Sequence, residues 1–182
     1  MISAAELTGI VYVLGAVTFE EICAVEKEIS DLRGPTHETR SLNELCIEAV
    51  KEHRLESVSV EDVSGAGTDD NAYLITGPNA FPEIPPELSQ VIDILKLPVR
   101  KVDMDTISKK LLKSFQKKVH GLKTKIEAVE VDSEEIKKLE SKYSDLLNLY
   151  YDYDSWLPGR FEAVADNLME ISKKIECLKR SN

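Results

Sequence analysis

The sequence is poor in cysteine and in aromatic residues, and it has no long hydrophobic run. Its three cysteines have neither a paired nor a metal-like spacing, which excludes a disulfide framework and a zinc ribbon. The longest run without a charged residue, Leu7 to Phe19, is shorter than the roughly 20 residues of a membrane helix. The start of the chain carries Glu6 and no basic residue, unlike a signal peptide. We therefore expect a cytoplasmic protein that does not bind membranes.

Positive charge is also scarce, because 23 Lys and Arg stand against 33 Asp and Glu, a formal net charge of -10. All of the excess negative charge lies in the first 100 residues, whereas residues 101–182 are close to neutral. A negative surface repels the phosphate backbone of nucleic acids. Binding of nucleic acid is therefore disfavoured for the N-terminal half, although it stays an alternative for the basic segment described below.

Composition divides the chain into three parts. Glycine is concentrated before residue 78, proline is concentrated between Pro78 and Pro98, and residues 101–182 contain few helix breakers. We predict a first domain at residues 1–77, a Pro-rich connector with a short helix at 78–100, and a helical domain at 101–182. In the connector we expect the apolar residues Phe81 and Ile84 to pack back onto the first domain.

Residues 1–77 predict three short helices followed by two strands. The first helix ends at Gly15, and Thr18 with Glu21 forms a capping-box pattern at the start of the second. Ser41 with Glu44 repeats this pattern before a third helix. That helix carries an apolar stripe made of Leu42, Leu45, Cys46, Ala49, Val50 and His53.

A strand is expected around Val58 and Val60, followed by a polar turn at residues 64–71 and a second strand at 72–76. Three helices followed by such a hairpin are the order of a winged helix. We therefore predict a winged-helix-like N-terminal domain with a two-stranded wing, in a protein that is mainly α and of the α+β class.

Residues 101–182 predict a C-terminal antiparallel coiled-coil-like helical bundle. Apolar residues recur every three or four positions along three segments, which are separated near Val131 and at Leu157 to Gly159. A narrow apolar seam of this kind also leaves room for a second copy of the chain. A homodimer formed through the helical bundle is therefore one of the expected partners.

No nucleophile lies beside a base in a pattern typical of catalysis. The three histidines are scattered, and His53 with Cys46 fits a core histidine and a core thiol better than a reactive pair. We expect a protein that is not an enzyme and that has no cofactor and no metal site.

One cluster combines the residue types that dominate protein interfaces. The candidate partner-binding residues are Tyr150, Tyr151, Tyr153, Trp156, Arg160 and Phe161. The alternative is that these bulky side chains close one end of the bundle, and the sequence does not decide between the two.

A basic segment spans residues 100–125, in which nine Lys and Arg, Arg100 among them, face two acids. The candidate phosphate-binding residues are Lys109, Lys110, Lys113 and Lys117. The alternative is a solvated helix face that is balanced by acidic groups elsewhere in the chain.

Four segments resemble, in this order, an archaeal protein family of unknown function. They are LTGIV at residues 7–11, LGAVT at 14–18, GPNAFP at 77–82 and YDYDSW at 151–156. The resemblance implies an archaeal cytoplasmic protein, and none of the four segments is a catalytic motif.

These observations predict a non-catalytic adaptor or scaffold that acts through protein–protein contacts. The main alternative is a DNA-binding transcriptional regulator of winged-helix type that dimerises through the bundle. A third hypothesis is a small-molecule sensor with a pocket lined by Phe81, Tyr73 and the aromatic cluster.

Overall fold

Residues 1–34, 41–66, 72–128 and 133–180 are described by the computed structural model. The chain divides into an N-terminal unit, Met1–Met104, and a C-terminal unit, Asp105–Asn182. The described ranges contain seven α-helices and two small antiparallel sheets, so the expected mainly helical α+β class is confirmed. The segment predicted as a connector at 78–100 lies within the N-terminal unit.

Four helices belong to the N-terminal unit, and two of their predicted ends are confirmed. They are α1 (Ala4–Leu14), α2 (Phe19–Arg33), α3 (Leu42–Lys51) and α4 (Leu88–Leu95). Gly15 ends α1 with a φ of 77°, a conformation that glycine adopts without strain. At the start of α2, the Thr18 hydroxyl accepts a hydrogen bond from the Glu21 amide at 3.2 Å, and the Glu21 carboxylate accepts one from the Thr18 amide at 3.0 Å.

The main sheet has the strand order β1-β4-β2 and is antiparallel throughout. Its strands are β1 (Val17–Thr18), β2 (Leu55–Val58) and β4 (Tyr73–Thr76). The predicted second strand is confirmed as β4, whereas the first ends at Val58 because a 3-10 turn, Val60–Asp62, follows it. Most of the predicted polar turn, residues 67–71, lies outside the described residues.

A second, smaller sheet joins two segments that the sequence pattern did not mark as strands. It pairs β3 (Val63–Ser64) with β5 (Lys101–Val102). Two residues per strand are too few to show an alternating pattern, and for the same reason β1 was not predicted.

Two residues of the N-terminal unit differ from their predicted roles. His53 lies beyond the end of α3, at a φ of 56°, and its Nδ1 is 2.7 Å from Glu56 Oε1, so the interpretation of a histidine in the helical stripe was wrong. Arg100, which was counted with the basic segment, forms two hydrogen bonds of 2.7 and 2.8 Å to the Glu21 carboxylate. Its guanidinium also lies 5.0 Å above the Tyr73 ring, and it therefore belongs to the core of this unit.

The C-terminal unit consists of three helices that pack together around one apolar core. They are α5 (Met104–Ala128), α6 (Ser133–Trp156) and α7 (Glu162–Arg180). The predicted stripe of α7 is buried, and Phe161, Val164 and Ile171 leave no surface exposed. Ion pairs link α5 to α7 at Lys123–Glu170 and Lys174–Glu127, so these two helices run in the same direction.

Candidate functional site

Residues 77–86, named the strap here, cross α1 and are fixed to it through their backbone. The Glu83 amide donates to the Ala5 carbonyl at 2.9 Å, and the Thr8 hydroxyl lies 3.2 Å from the Phe81 carbonyl oxygen. A Cβ at Gly9 would overlap the Glu83 carbonyl, so only glycine allows the strap this close to the helix. At its start the strap is held by a 2.9 Å hydrogen bond from Gly77 to the Arg54 carbonyl.

The two large apolar side chains of the strap, Phe81 and Ile84, point into solvent. Phe81 is 81% exposed and Ile84 is 56% exposed. The expectation that these side chains pack onto the first domain was therefore wrong. The physical reason is the close approach at Gly9, because at this crossing the strap backbone itself occupies the surface of α1.

Tyr12 of α1 is a further exposed apolar side chain of this unit. It lies one turn after Gly9, the residue that the Ile84 backbone approaches, and is 61% exposed. A cleft of about 300 Å³ opens next to Phe81. Its walls are Ala4, Ala5, Thr8, Glu52, Arg54, Asn79 and Phe81. Exposed apolar residues grouped in this way are typical of a protein contact surface rather than of an isolated monomer.

The predicted aromatic cluster is divided between core and surface. Tyr153 and Phe161 are buried, with their rings stacked at a centroid distance of 5.0 Å. Phe115 of α5 meets both rings edge-on, at 6.1 and 5.8 Å. These three side chains pack together in the C-terminal core.

The other members of the aromatic cluster are more accessible. Tyr151 is 60% exposed, whereas Trp156 and Tyr150 are half-buried. Burial, together with the nearby negative charge of Asp154, raises the pKa of Tyr150. Arg160 is exposed and forms an ion pair with Asp105 at the start of α5. A partner at this end of the unit would therefore meet Tyr151 and Arg160 first.

The four candidate phosphate-binding lysines all lie on α5. Lys109, Lys110, Lys113 and Lys117 are exposed. Lys109, Lys113 and Lys117 follow one another at intervals of four and therefore share one face of the helix. Lys117 also lines a groove between α5 and α6, whereas Lys109 and Lys113 do not.

A metal site and a reactive thiol each require a particular arrangement of side chains. Within the described ranges, no group of three His, Cys, Asp or Glu side chains could hold a metal ion. Cys46 is buried, and burial raises its pKa to about 11, which suppresses the reactive thiolate. No helix in the described part of the chain is both long and apolar enough to cross a membrane.

Residues 5–173 match the family of unknown function DUF7109. The chain belongs to this family. The expected family of unknown function is thus confirmed, whereas its archaeal origin stays a prediction. No curated protein and no solved structure matches the chain.

In this member of the family, sequence reasoning missed the outward direction of Phe81 and Ile84 and the exposure of Tyr12. The sequence does contain a signal for the outward direction of Phe81 and Ile84. The small residues Ala5 and Gly9 lie four positions apart, on one face of α1, and this permits the close approach of another backbone. A proline-rich segment that lies on such a face places its backbone, and not its side chains, against the helix.

Proposed function

We propose that the protein is a non-catalytic adaptor that binds a protein partner through the strap and Tyr12. The observation that carries this proposal is Phe81, a large aromatic side chain that is 81% exposed on a backbone fixed by hydrogen bonds. Exposure of an apolar ring to water is unfavourable unless another surface covers it. Because the strap is already ordered, little conformational entropy is lost when a partner binds.

Charge suggests what kind of partner this surface fits. Glu83 is exposed between Phe81 and Ile84, and the first 100 residues carry most of the negative charge of the chain. Complementary charges favour association and repel wrong partners. The partner we propose is therefore a cytoplasmic protein with an apolar pocket that accepts Phe81 and with basic residues at its rim.

Site-specific photo-crosslinking tests this proposal. A photoreactive amino acid at position 81 should give a crosslinked product in cells, and the same amino acid at Val99, which is 68% exposed in the same unit, should not. Competition by excess unlabelled protein should remove the product, whereas the Phe81→Ser variant should compete poorly. Equal crosslinking from positions 81 and 99 would contradict the proposal.

A third crosslinking position, Tyr151, tests the aromatic cluster as a partner surface. Tyr151 is 60% exposed at the end of the C-terminal unit. A product from position 151 and none from position 81 would assign the adaptor role to the aromatic cluster and would overturn the strap as the binding surface.

The second candidate is a winged-helix regulator that binds DNA and dimerises through the helical bundle. The order α1, β1, α2, α3, β2, β4 and the sheet order β1-β4-β2 support a winged-helix-like N-terminal unit. In that fold α3 would enter the major groove. Its exposed residues are Asn43, Glu44, Ile47 and Lys51, a set with no excess of positive charge.

Fluorescence anisotropy with a labelled random duplex distinguishes the regulator from the adaptor. DNA binding through lysines should weaken steeply between about 50 and 200 mM salt. Salt-sensitive binding that is lost when Lys109, Lys110, Lys113 and Lys117 are changed to glutamine would favour the regulator. Absence of DNA binding at low salt would exclude a regulator that binds DNA through these lysines.

A further inference from the structure

A groove of about 380 Å³ runs between α5 and α6 in the C-terminal unit. Its lining residues are Lys117, Lys118, Gly121, Leu122, Lys125, Lys142, Asp145 and Leu146. Four lysines and a single acidic residue, Asp145, therefore line the groove. We name this feature the lysine groove. Its volume lies in the range of pockets that bind small molecules.

Gly121 is one of the residues that line the lysine groove. It precedes Lys125 by four residues and follows Lys117 and Lys118 by four and three, so the three lysines surround it on one face of α5. A Cβ at this position would meet nothing within 4 Å. Glycine disfavours a helix more than any residue except proline, and here no neighbouring atom requires it. The missing side chain instead leaves open space between the three lysine positions of α5.

The acids nearest along these helices do not neutralise the groove. Glu127 of α5 pairs with Lys174, and Glu140 of α6 pairs with Lys179, so both are engaged with α7. Within the described part of the chain, no carboxylate forms an ion pair with any of the four groove lysines. Repulsion among these like charges is unfavourable, and a bound anion of several charges would relieve it.

We propose that the lysine groove binds the phosphate chain of an oligophosphate anion, either free or as part of a nucleotide. Lysine binds phosphate as a mobile point charge, and several lysines can follow a short chain of phosphates. The apolar floor formed by Leu122 and Leu146 leaves room for an attached organic group. This site is independent of the strap and of the adaptor function.

Isothermal titration calorimetry of the full chain with tripolyphosphate at about 0.15 M ionic strength, where charges more than about 8 Å away are screened, tests the site. We expect binding to the wild-type protein, with the Kd raised roughly fivefold by Lys118→Gln and by Lys142→Gln, because each removes one charge near the anion. Lys109→Gln is the matched control, since Lys109 is exposed on the same helix outside the groove. Its Kd should stay within about twofold of the wild-type value.

Gly121→Glu places a carboxylate in the groove without removing any lysine. It should raise the Kd about tenfold relative to Gly121→Gln, which has the same size and no charge. Both variants replace glycine by a better helix former, so they should fold at least as well as the wild type. Circular dichroism of each variant verifies this.

Each outcome of the titrations decides the proposal. No binding of tripolyphosphate in titrations at two temperatures, or an equal loss of affinity in Lys109→Gln and Lys118→Gln, would overturn the groove as a site. Equal affinities for tripolyphosphate and ATP would identify the phosphate chain as the whole ligand. At least tenfold tighter binding of ATP would identify a nucleotide as its source.

Discussion

Phe81 and Phe161 have opposite energetic roles, although they are the same residue type. Phe161 is fully buried between the rings of Phe115 and Tyr153, so its area contributes to the stability of the C-terminal core. Phe81 leaves 81% of its surface in solvent and contributes almost nothing to its own unit. A side chain that folding does not use is available for recognition.

Alanine substitutions should separate these two roles. We expect Phe161→Ala to lower the free energy of unfolding by about 3–5 kcal/mol, because it leaves a cavity. Phe81→Ala should change it by less than about 0.5 kcal/mol. Urea unfolding followed by circular dichroism measures both. A cost above about 2 kcal/mol for Phe81→Ala would mean that the ring is buried in solution.

The three cysteines should differ in reactivity. Burial raises the pKa of Cys46 to about 11 and also raises the pKa of Cys23, where Glu20 and Glu26 add to the effect. A raised thiol pKa leaves less thiolate at neutral pH. At pH 8, iodoacetamide should therefore modify the exposed Cys177 first, as read by peptide mass spectrometry. Modification of Cys46 as fast as that of Cys177 would contradict the burial of α3.

At the scale of elements, α1 and α5 each contain one internal glycine, and the two glycines have different surroundings. Gly9 of α1 lies against the strap, where a Cβ would overlap the Glu83 carbonyl. Gly121 of α5 faces open space. Helix propensity predicts that alanine is better than glycine at both positions, and packing reverses that preference only at Gly9.

The same substitution should therefore have opposite signs in the two helices. Gly121→Ala should stabilise the protein by about 0.5–1 kcal/mol. Gly9→Ala should destabilise it by about 1–3 kcal/mol, because the strap must move away from α1 and lose the hydrogen bond from Glu83 to Ala5. Thermal unfolding of the Gly121→Ala and Gly9→Ala variants measures both effects. A stabilised Gly9→Ala protein would show that the strap does not lie on the helix.

At the scale of the whole molecule, the two units have separate apolar cores and different charges. The acidic N-terminal unit uses its few basic side chains to join elements. Arg33 of α2 donates to Glu6 of α1 at 2.6 Å and to Glu87, the residue before α4, at 2.8 and 2.9 Å. One guanidinium therefore links three helices.

This link should make stability depend on pH. The hydrogen bond from Arg33 lowers the pKa of Glu6, so the ionised carboxylate stabilises the fold above the pKa of the unfolded chain and loses this effect as pH falls through the lowered value. Glu6→Gln keeps a capping side chain and should cost about 1 kcal/mol at pH 7. Urea unfolding at pH 7 and near pH 3 should show the variant and the wild type converging in acid. If the free energies of unfolding of the variant and the wild type differed by the same amount at both pH values, the ion pair between Arg33 and Glu6 would be contradicted.

The helices could be predicted from the sequence because their signals are local. The capping box of Thr18 with Glu21 and the apolar stripe of α7 that ends at Leu178 depend on neighbours within four residues. The short strands β1 and β5, the burial of Arg100 against Glu21 and the direction of Phe81 depend on residues far away in the chain. Charge counting therefore placed Arg100 on a basic surface, and hydrophobicity alone placed Phe81 in a core.

In the strap, the contacts that fix its position and the side chains that it exposes to solvent belong to different groups of atoms. Its position depends on backbone hydrogen bonds and on the absence of a side chain at Gly9, whereas its outward surface depends on Phe81 and Ile84. Mutations at positions 81 and 84 can therefore change what is recognised while the architecture stays intact. Members of one family could diverge in specificity at these two positions without first acquiring compensating mutations in the interior, and an engineer could graft new binding residues at the same place.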